Sequence, residues 1–279
     1  MDLDTLLGRA ISLADGGDWG PAADVLRANV VDFADEASVH CALGVAEREL
    51  GNDGVAYECF KKALALQPED PYVLATAGNG VAWFDDPDAM EALKSAAMLA
   101  PDVPLTRMLY GAYLAREGFH DWAVEQLEAA RELDEADPQI RYELGVAHAL
   151  SGKTSRAADS LGEAVQLEPG DGWMRMLYGL VLLADDRLDE AAVELIEGAR
   201  LSPEDVEGQL LAALAARATG FDGVAFEMLE RGRMRALEGD AELIDSAEEH
   251  IDAGPEAAAS FLEDEVQSEA LRVRLMERP

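Results

Sequence analysis

The sequence predicts an all-α fold, a solenoid of stacked helix-turn-helix repeats, from three observations. The word RMLYG stands at 107–111 and again at 175–179, with RYELG at 141–145 halfway between, a spacing of 34 residues. A frame of small and large residues keeps the same period: Leu144-Gly145 is followed by Ala157, Leu161, Ala164 and Pro169, and Tyr178-Gly179 by Ala191, Leu195, Gly198 and Pro203 at identical offsets. Each period also holds two apolar-periodic segments, each about three to four helical turns long, parted by turn letters such as Gly51-Asn52-Asp53-Gly54 or Ser151-Gly152-Lys153.

The frame can be followed along the chain in seven units, with approximate bounds 3–36, 37–70, 71–103, 104–137, 138–171, 172–205 and 206–239. The first keeps Ala10, Ala22 and Leu26, and the second keeps Leu43-Gly44, Ala56, Phe60, Ala63 and Pro68. In the third, Ala77-Gly78, Ala89, Leu93, Ala96 and Pro101 fit once one residue is removed from the turn near Asp85-Asp86-Pro87. The fourth has Tyr110-Gly111, Ala123, Leu127 and Ala130, with Glu135 where the others have proline, and the last keeps Ala213, Ala225 and Leu229. Glycine inside a helix costs about 1 kcal/mol relative to alanine. Its recurrence at 44, 78, 111, 145 and 179 therefore predicts close approach of the second helix, with Ala56, Ala123, Ala157 or Ala191 opposite. The prolines stop the second helix and turn the chain into the next unit.

The remaining stretch, 240–279, lies outside the frame and predicts capping or groove-binding helices. Gly254 suits a helix end and Pro255 the first turn of the next helix. Leu262, Val266, Ala270 and Val273 then form one apolar stripe, broadened by Phe261, Leu271 and Leu275, and the end is locally basic through Arg272, Arg274 and Arg278. Two roles are open for it: a cover for the last repeat, or a helix seated in an apolar groove of its own chain or of a second copy, the route to self-association.

The pattern resembles the tetratricopeptide repeat family, whose unit of about 34 residues carries a small residue, alanines, a large apolar residue and a closing proline in this order. It departs where the family often has tryptophan, since Arg107, Arg141 and Arg175 stand there, with His40 and Leu74 before them. Pairing with acidic residues of adjacent helices is the first expectation for that arginine column, and a grip on a ligand carboxylate the alternative. The resemblance implies a right-handed solenoid that binds a partner on the concave face of its first helices. Mapped onto this chain, the face holds Tyr72 and Asn79, then Leu105 and Met108, then Gln139 and Tyr142, then Trp173, Met176 and Leu180. Such an uncharged, aromatic and methionine-bearing lining implies a covered surface, although Val146, Leu180 and Leu183 suit packing on a neighbouring repeat equally well. The terminal-carboxylate clamp of related co-chaperones is disfavoured, because among Cys41, Val45, Ala75, Asn79, Leu105 and Leu109 only Asn79 matches it.

Composition limits the chemistry. Acidic residues number 57 against 22 basic ones, a formal net charge of −35, and lysine occurs only at 61, 62, 94 and 153. This surface opposes binding to a nucleic acid backbone, which needs clustered Lys and Arg. The balance resembles cytoplasmic proteins of salt-accumulating halophiles; an ordinary acidic protein with a basic partner is the alternative. The absence of an apolar run long enough to span a bilayer, and of a basic N-terminal start, predicts a soluble cytoplasmic protein with no membrane span. No cofactor, metal or catalytic site is expected: Cys41 and Cys59 fit small buried residues, and Asp185-Asp186 would hold a cation only loosely. His40, His120, His148 and His250 fall in different repeats, and no nucleophile or phosphate-loop motif occurs. The expected function is a non-catalytic scaffold binding a peptide or helix of another protein. The alternatives are a regulatory or assembly subunit of an enzyme complex, or an acidic surface for a basic protein.

Overall fold

The computed structural model describes residues 1–276, and every regular element among the described residues is helical. Two compact units divide the chain, the first ending at Tyr113 and the second starting at Leu114. The first unit contains α1 (Leu3–Asp15), α2 (Trp19–Asn29), α3 (Ala37–Glu49), α4 (Asp53–Ala65), α5 (Pro71–Ala82) and α6 (Asp88–Leu99). Helix α7 (Pro104–Arg116) begins in the first unit and ends in the second. The second unit continues with α8 (His120–Leu133), α9 (Pro138–Leu150), α10 (Thr154–Leu167), α11 (Gly172–Ala184), α12 (Leu188–Leu201), α13 (Val206–Ala218) and α14 (Asp222–Arg235). After these come α15 (Ala241–Ala253), α16 (Pro255–Phe261) and α17 (Gln267–Met276), the last two joined by a π-helical turn, Leu262–Val266. Arg278, the last residue of the basic end read from the sequence, lies outside the described residues.

Consecutive helices pack as hairpins, α1 on α2, α3 on α4 and α5 on α6 in the first unit, and α9 on α10, α11 on α12 and α13 on α14 in the second. The helical glycines mark the tightest points of these hairpins. A Cβ added at Gly145 would stand 2.6 Å from Leu161 Cγ, and one at Gly179 would stand 2.7 Å from Leu195 Cγ. What the glycine admits is thus the large apolar residue of the second helix, and the alanine expected opposite it plays the smaller part. A bare backbone on one helix lets a leucine of the other sit flat against it, and this contact returns the cost of the glycine.

Local capping gives some of the acidic residues a structural task. Asp2, Asp70, Asp137, Asp171 and Asp205 precede α1, α5, α9, α11 and α13, and each accepts a hydrogen bond from a backbone N–H of the first turn. An aspartate there satisfies an otherwise orphaned donor and faces the positive end of the helix dipole. The second helices α4, α8, α10, α12 and α14 lack such a side-chain cap. Helix α8 stops at Leu133 although Glu135 stands where the other units have proline. Asp134 leaves the helix in an extended conformation and accepts from Ala136 N at 3.0 Å, so a polar turn ends the helix as proline does elsewhere. In the shortened turn before α6, buried Asp86 accepts from the Tyr57 hydroxyl at 2.7 Å and from Lys61 Nζ.

The arginine column has a structural task. Arg107 Nε donates to the Pro101 carbonyl at 2.6 Å, Arg141 to the Glu135 carbonyl at 2.8 Å and Arg175 Nε to the Pro169 carbonyl at 3.0 Å. In each case the guanidinium reaches back six residues and ties down the turn that enters its own helix. Arg141 also pairs with Glu163 of α10, and Arg175 with Glu194 of α12. These are the acidic partners expected from the sequence, on the second helix of the same hairpin.

Candidate peptide-binding face

In the first unit α1, α3 and α5, with Trp19 of α2, line an open groove of about 370 Å³. Leu7, Ile11, Trp19, Val45, Tyr72 and Thr76 line it, and Tyr72 and Ile11 are among the exposed large side chains. Cys41 stands in its wall; burial first, and the Asp70 charge second, push its thiol up to about 12, in keeping with a small side chain packed among apolar neighbours. Asn79 is buried, unlike its neighbour in the sequence reading, Tyr72. Leu105 of α7 is at the margin of exposure, whereas Met108 is buried.

In the second unit the corresponding face, made by α9, α11 and α13, is occupied. Helix α16 packs on α13, the π turn also touches α13, and α17 lies on α11 and α9. Leu262, Ala270 and Leu275 are buried in one apolar core with Tyr142, Val146, Leu180 and Leu183. His250 of α15 stacks on Phe261 at 3.9 Å between ring centroids, fixing the turn at Gly254. Of the lining residues named from the sequence, Tyr142, Met176 and Leu180 are all buried. Gln267 Nε2 reaches the Leu180 carbonyl at 3.4 Å, and Met176 is close-packed against the start of α13, its Cε only 2.8 Å from where a Cβ on Gly208 would stand.

One charged side chain enters this core. Arg274 of α17 is 2% exposed, its guanidinium carbon 5.0 Å from the centre of the Trp173 ring. It pairs with Asp205 at 2.9 Å and with Glu207, both at the start of α13. Trp173 in turn donates from Nε1 to the Tyr142 hydroxyl at 3.1 Å. Asp205 serves twice, since Oδ1 caps α13 through Gly208 N at 2.9 Å while Oδ2 holds the guanidinium. Of the sequence-derived set, the structure thus brings Tyr142 and Trp173 together in one network across α9 and α11. Gln139 lies at its edge, half-buried, with Nε2 3.4 Å from Glu143. Glu143 itself holds Arg116 in a fully buried ion pair at 2.6 Å.

Three residues of this site escaped the sequence reading. In the sequence Asp205 and Glu207 look like ordinary surface carboxylates, and the helical period puts Val273 in the apolar stripe and Arg274 beside it. The structure reverses the last pair: Val273 is 49% exposed and Arg274 is buried. The cause is the π turn at Leu262–Val266. It takes in one extra residue, so the face that would carry position 273 in a regular helix carries 274 instead. Asp185, weighed as a loose cation ligand, accepts from Ser155 Oγ at 2.7 Å and Thr154 Oγ1 at 3.2 Å, tying down the first turn of α10.

Paired helices, a small residue at each hairpin crossing and a first-helix face that takes a helix define an α-helical repeat protein. The repeat itself is identified by models of the tetratricopeptide repeat, which match residues 37–70, 111–172 and 151–206, so these stretches of the chain are tetratricopeptide repeats. Solved structures share the fold at low identity. The APC/C hetero-tetramer Cut9–Hcn1 superposes with a TM-score of 0.69 at 20% identity over 88% of this chain, which spans 49% of that one. Pseudomonas aeruginosa pilF gives 0.57 at 17% identity, covering 70% of this chain and 89% of its own. The thermophilic TPR protein TTC0263 of Thermus thermophilus gives 0.56 at 24% identity, covering 64% and 98%. No curated protein sequence matches the chain. Among the described residues no helix is long and apolar enough to cross a membrane.

Proposed function

We propose that this protein is a non-catalytic interaction scaffold whose first-helix faces each take a helical segment of protein. The tetratricopeptide fold supports the general role, and one observation carries the specific one: the face of α9, α11 and α13 already holds a helix, α17 with its π turn, in an apolar core. The face of α1, α3 and α5 has the same build and is open, so it is the surface for a partner's helix. Tyr72 would contact the partner there and Leu105 at the exposed edge of α7, with Asn79 and Met108 as buried support. In the second unit Trp173 and Gln139 would lie at the contact and Tyr142, Met176 and Leu180 in the floor. The same reading divides the chain into the seven repeats bounded above and a C-terminal segment from 240.

Capture of partners from native lysate in concentrated KCl, comparing the natural chain with Tyr72→Glu, tests this. A protein retained by the first and lost by the second supports the apolar face; a set of captured proteins unaffected by Tyr72→Glu opposes it. The net charge of −35 favours a second reading, an acidic surface engaging a basic protein. That binding would vanish as salt rises, whereas apolar docking would persist.

A further inference from the structure

The buried arginine of the C-terminal helix shows what chemistry the second unit's face can recognise. An arginine goes into a protein interior only where its charge is matched and its flat surface covered, and here both conditions are supplied from outside α17. Trp173 gives the aromatic face, and Asp205 and Glu207 give two carboxylates. Asp205 is fixed by capping α13, and Trp173 is fixed by its hydrogen bond to Tyr142. The groups that receive the guanidinium therefore all come from α9, α11 and α13, and Asp205 and Trp173 are each also held by a contact that does not involve Arg274.

The occupant is held less well than the receptor is built. Arg274 Nε is buried without a hydrogen-bond partner, which weakens the hold on this particular guanidinium. Helix α17 has ten residues, too few to persist in water once detached, and it hangs from a π turn in which the regular hydrogen-bond ladder is broken. Val273 and Met276 face solvent, so part of its apolar surface contributes nothing to the grip.

We propose that Trp173, Asp205 and Glu207 form an arginine-recognition subsite. In this assignment α17 is a built-in competitor, displaced by a helical segment of a partner protein that carries an arginine on its apolar face. The acidic flank selects for the positive charge and the tryptophan for the planar guanidinium, so lysine fits poorly. This rests on the scaffold reading, but that reading is tested separately at Tyr72, so failure here leaves it standing.

The test uses a labelled synthetic peptide with the sequence of 262–276 and a second peptide with glutamine in place of its arginine at 274, titrated by fluorescence anisotropy into the full chain and into its Arg274→Ala variant. The arginine peptide is expected to bind the variant about tenfold more tightly than the natural chain, and about tenfold more tightly than the glutamine peptide does. Adding Asp205→Asn and Glu207→Gln, with Asn keeping the helix cap, should remove that preference. Equal binding of the two peptides to Arg274→Ala, or of the arginine peptide to variant and natural chain, overturns the subsite. Should the variant lose its helicity, hydrogen exchange on the natural chain decides: excess arginine peptide must speed exchange across Gln267–Met276 and leave α11 protected, and unchanged exchange overturns displacement. A doubled mass of the natural chain by light scattering, with no peptide added, would give the pocket to a second copy and overturn the partner assignment.

Discussion

At the scale of single residues, close packing decides where a small change is tolerated. Gly145→Ala drives a methyl group into Leu161 and should destabilise by about 1–3 kcal/mol in denaturant unfolding. Gly8 also lies within a helix, yet nothing stands within 4 Å of the Cβ it lacks, so Gly8→Ala should stabilise by about 0.5–1 kcal/mol. The buried carboxylate Glu47 sets a pH dependence. Hydrogen bonds from Arg27, at 2.7 and 2.8 Å, hold it below the ordinary range against the opposing effect of burial. Because its folded value lies below the unfolded one, about 4.3, its contribution is complete above that pH and is lost as pH falls through the folded value. Acid titration of stability should therefore be shallower in Glu47→Gln than in the natural chain, and equal slopes would show that the pair carries no such linkage.

Among elements, α17 shows how one residue of register changes the chemistry a helix presents. The π turn carries an extra residue and so places Arg274, with its charge, where a regular helix would place Val273. Deleting Asp264, which is exposed in that turn, should restore regular spacing and lift the guanidinium away from Trp173. The expected readout is a change in tryptophan emission together with faster amide exchange over Gln267–Met276. Retention of both signals would mean that the packing of Leu262 and Leu275, and no register effect, positions the arginine.

For the whole molecule, charge is the dominant unspent term. At a formal net charge of −35 self-repulsion opposes the compact state in dilute buffer, and salt removes it as the screening length falls to about 3 Å at 1 M. The melting temperature followed by circular dichroism should rise between about 0.1 and 1 M KCl. A value independent of salt would show that the excess carboxylates are locally compensated, and would remove the argument for a salt-accumulating source. Some compensation is visible, since aspartates cap helices and several arginines, Arg187 and Arg272 among them, pair with glutamates three residues away, but exposed pairs of this kind contribute little individually.

What the sequence by itself determined was the repeat: the hairpin pairs, the glycine crossings and the tethering arginines recur because each unit meets the same local packing problem within 34 residues. Local rules suffice for that, since a cap, a turn or an i, i+4 face involves residues close in the chain. Even there one detail needed three dimensions, because leucine and alanine on the second helix are both near the glycine and only packing shows which of them meets it. The site was different. Arg274 is separated from Asp205 by 69 positions along the chain, and neither residue type announces burial. A single broken helical turn, invisible to a periodic reading, exchanged a valine for an arginine on the docked face. Only the tertiary structure could decide that, because the energy of burying a charge depends on groups that distant parts of the chain bring to it.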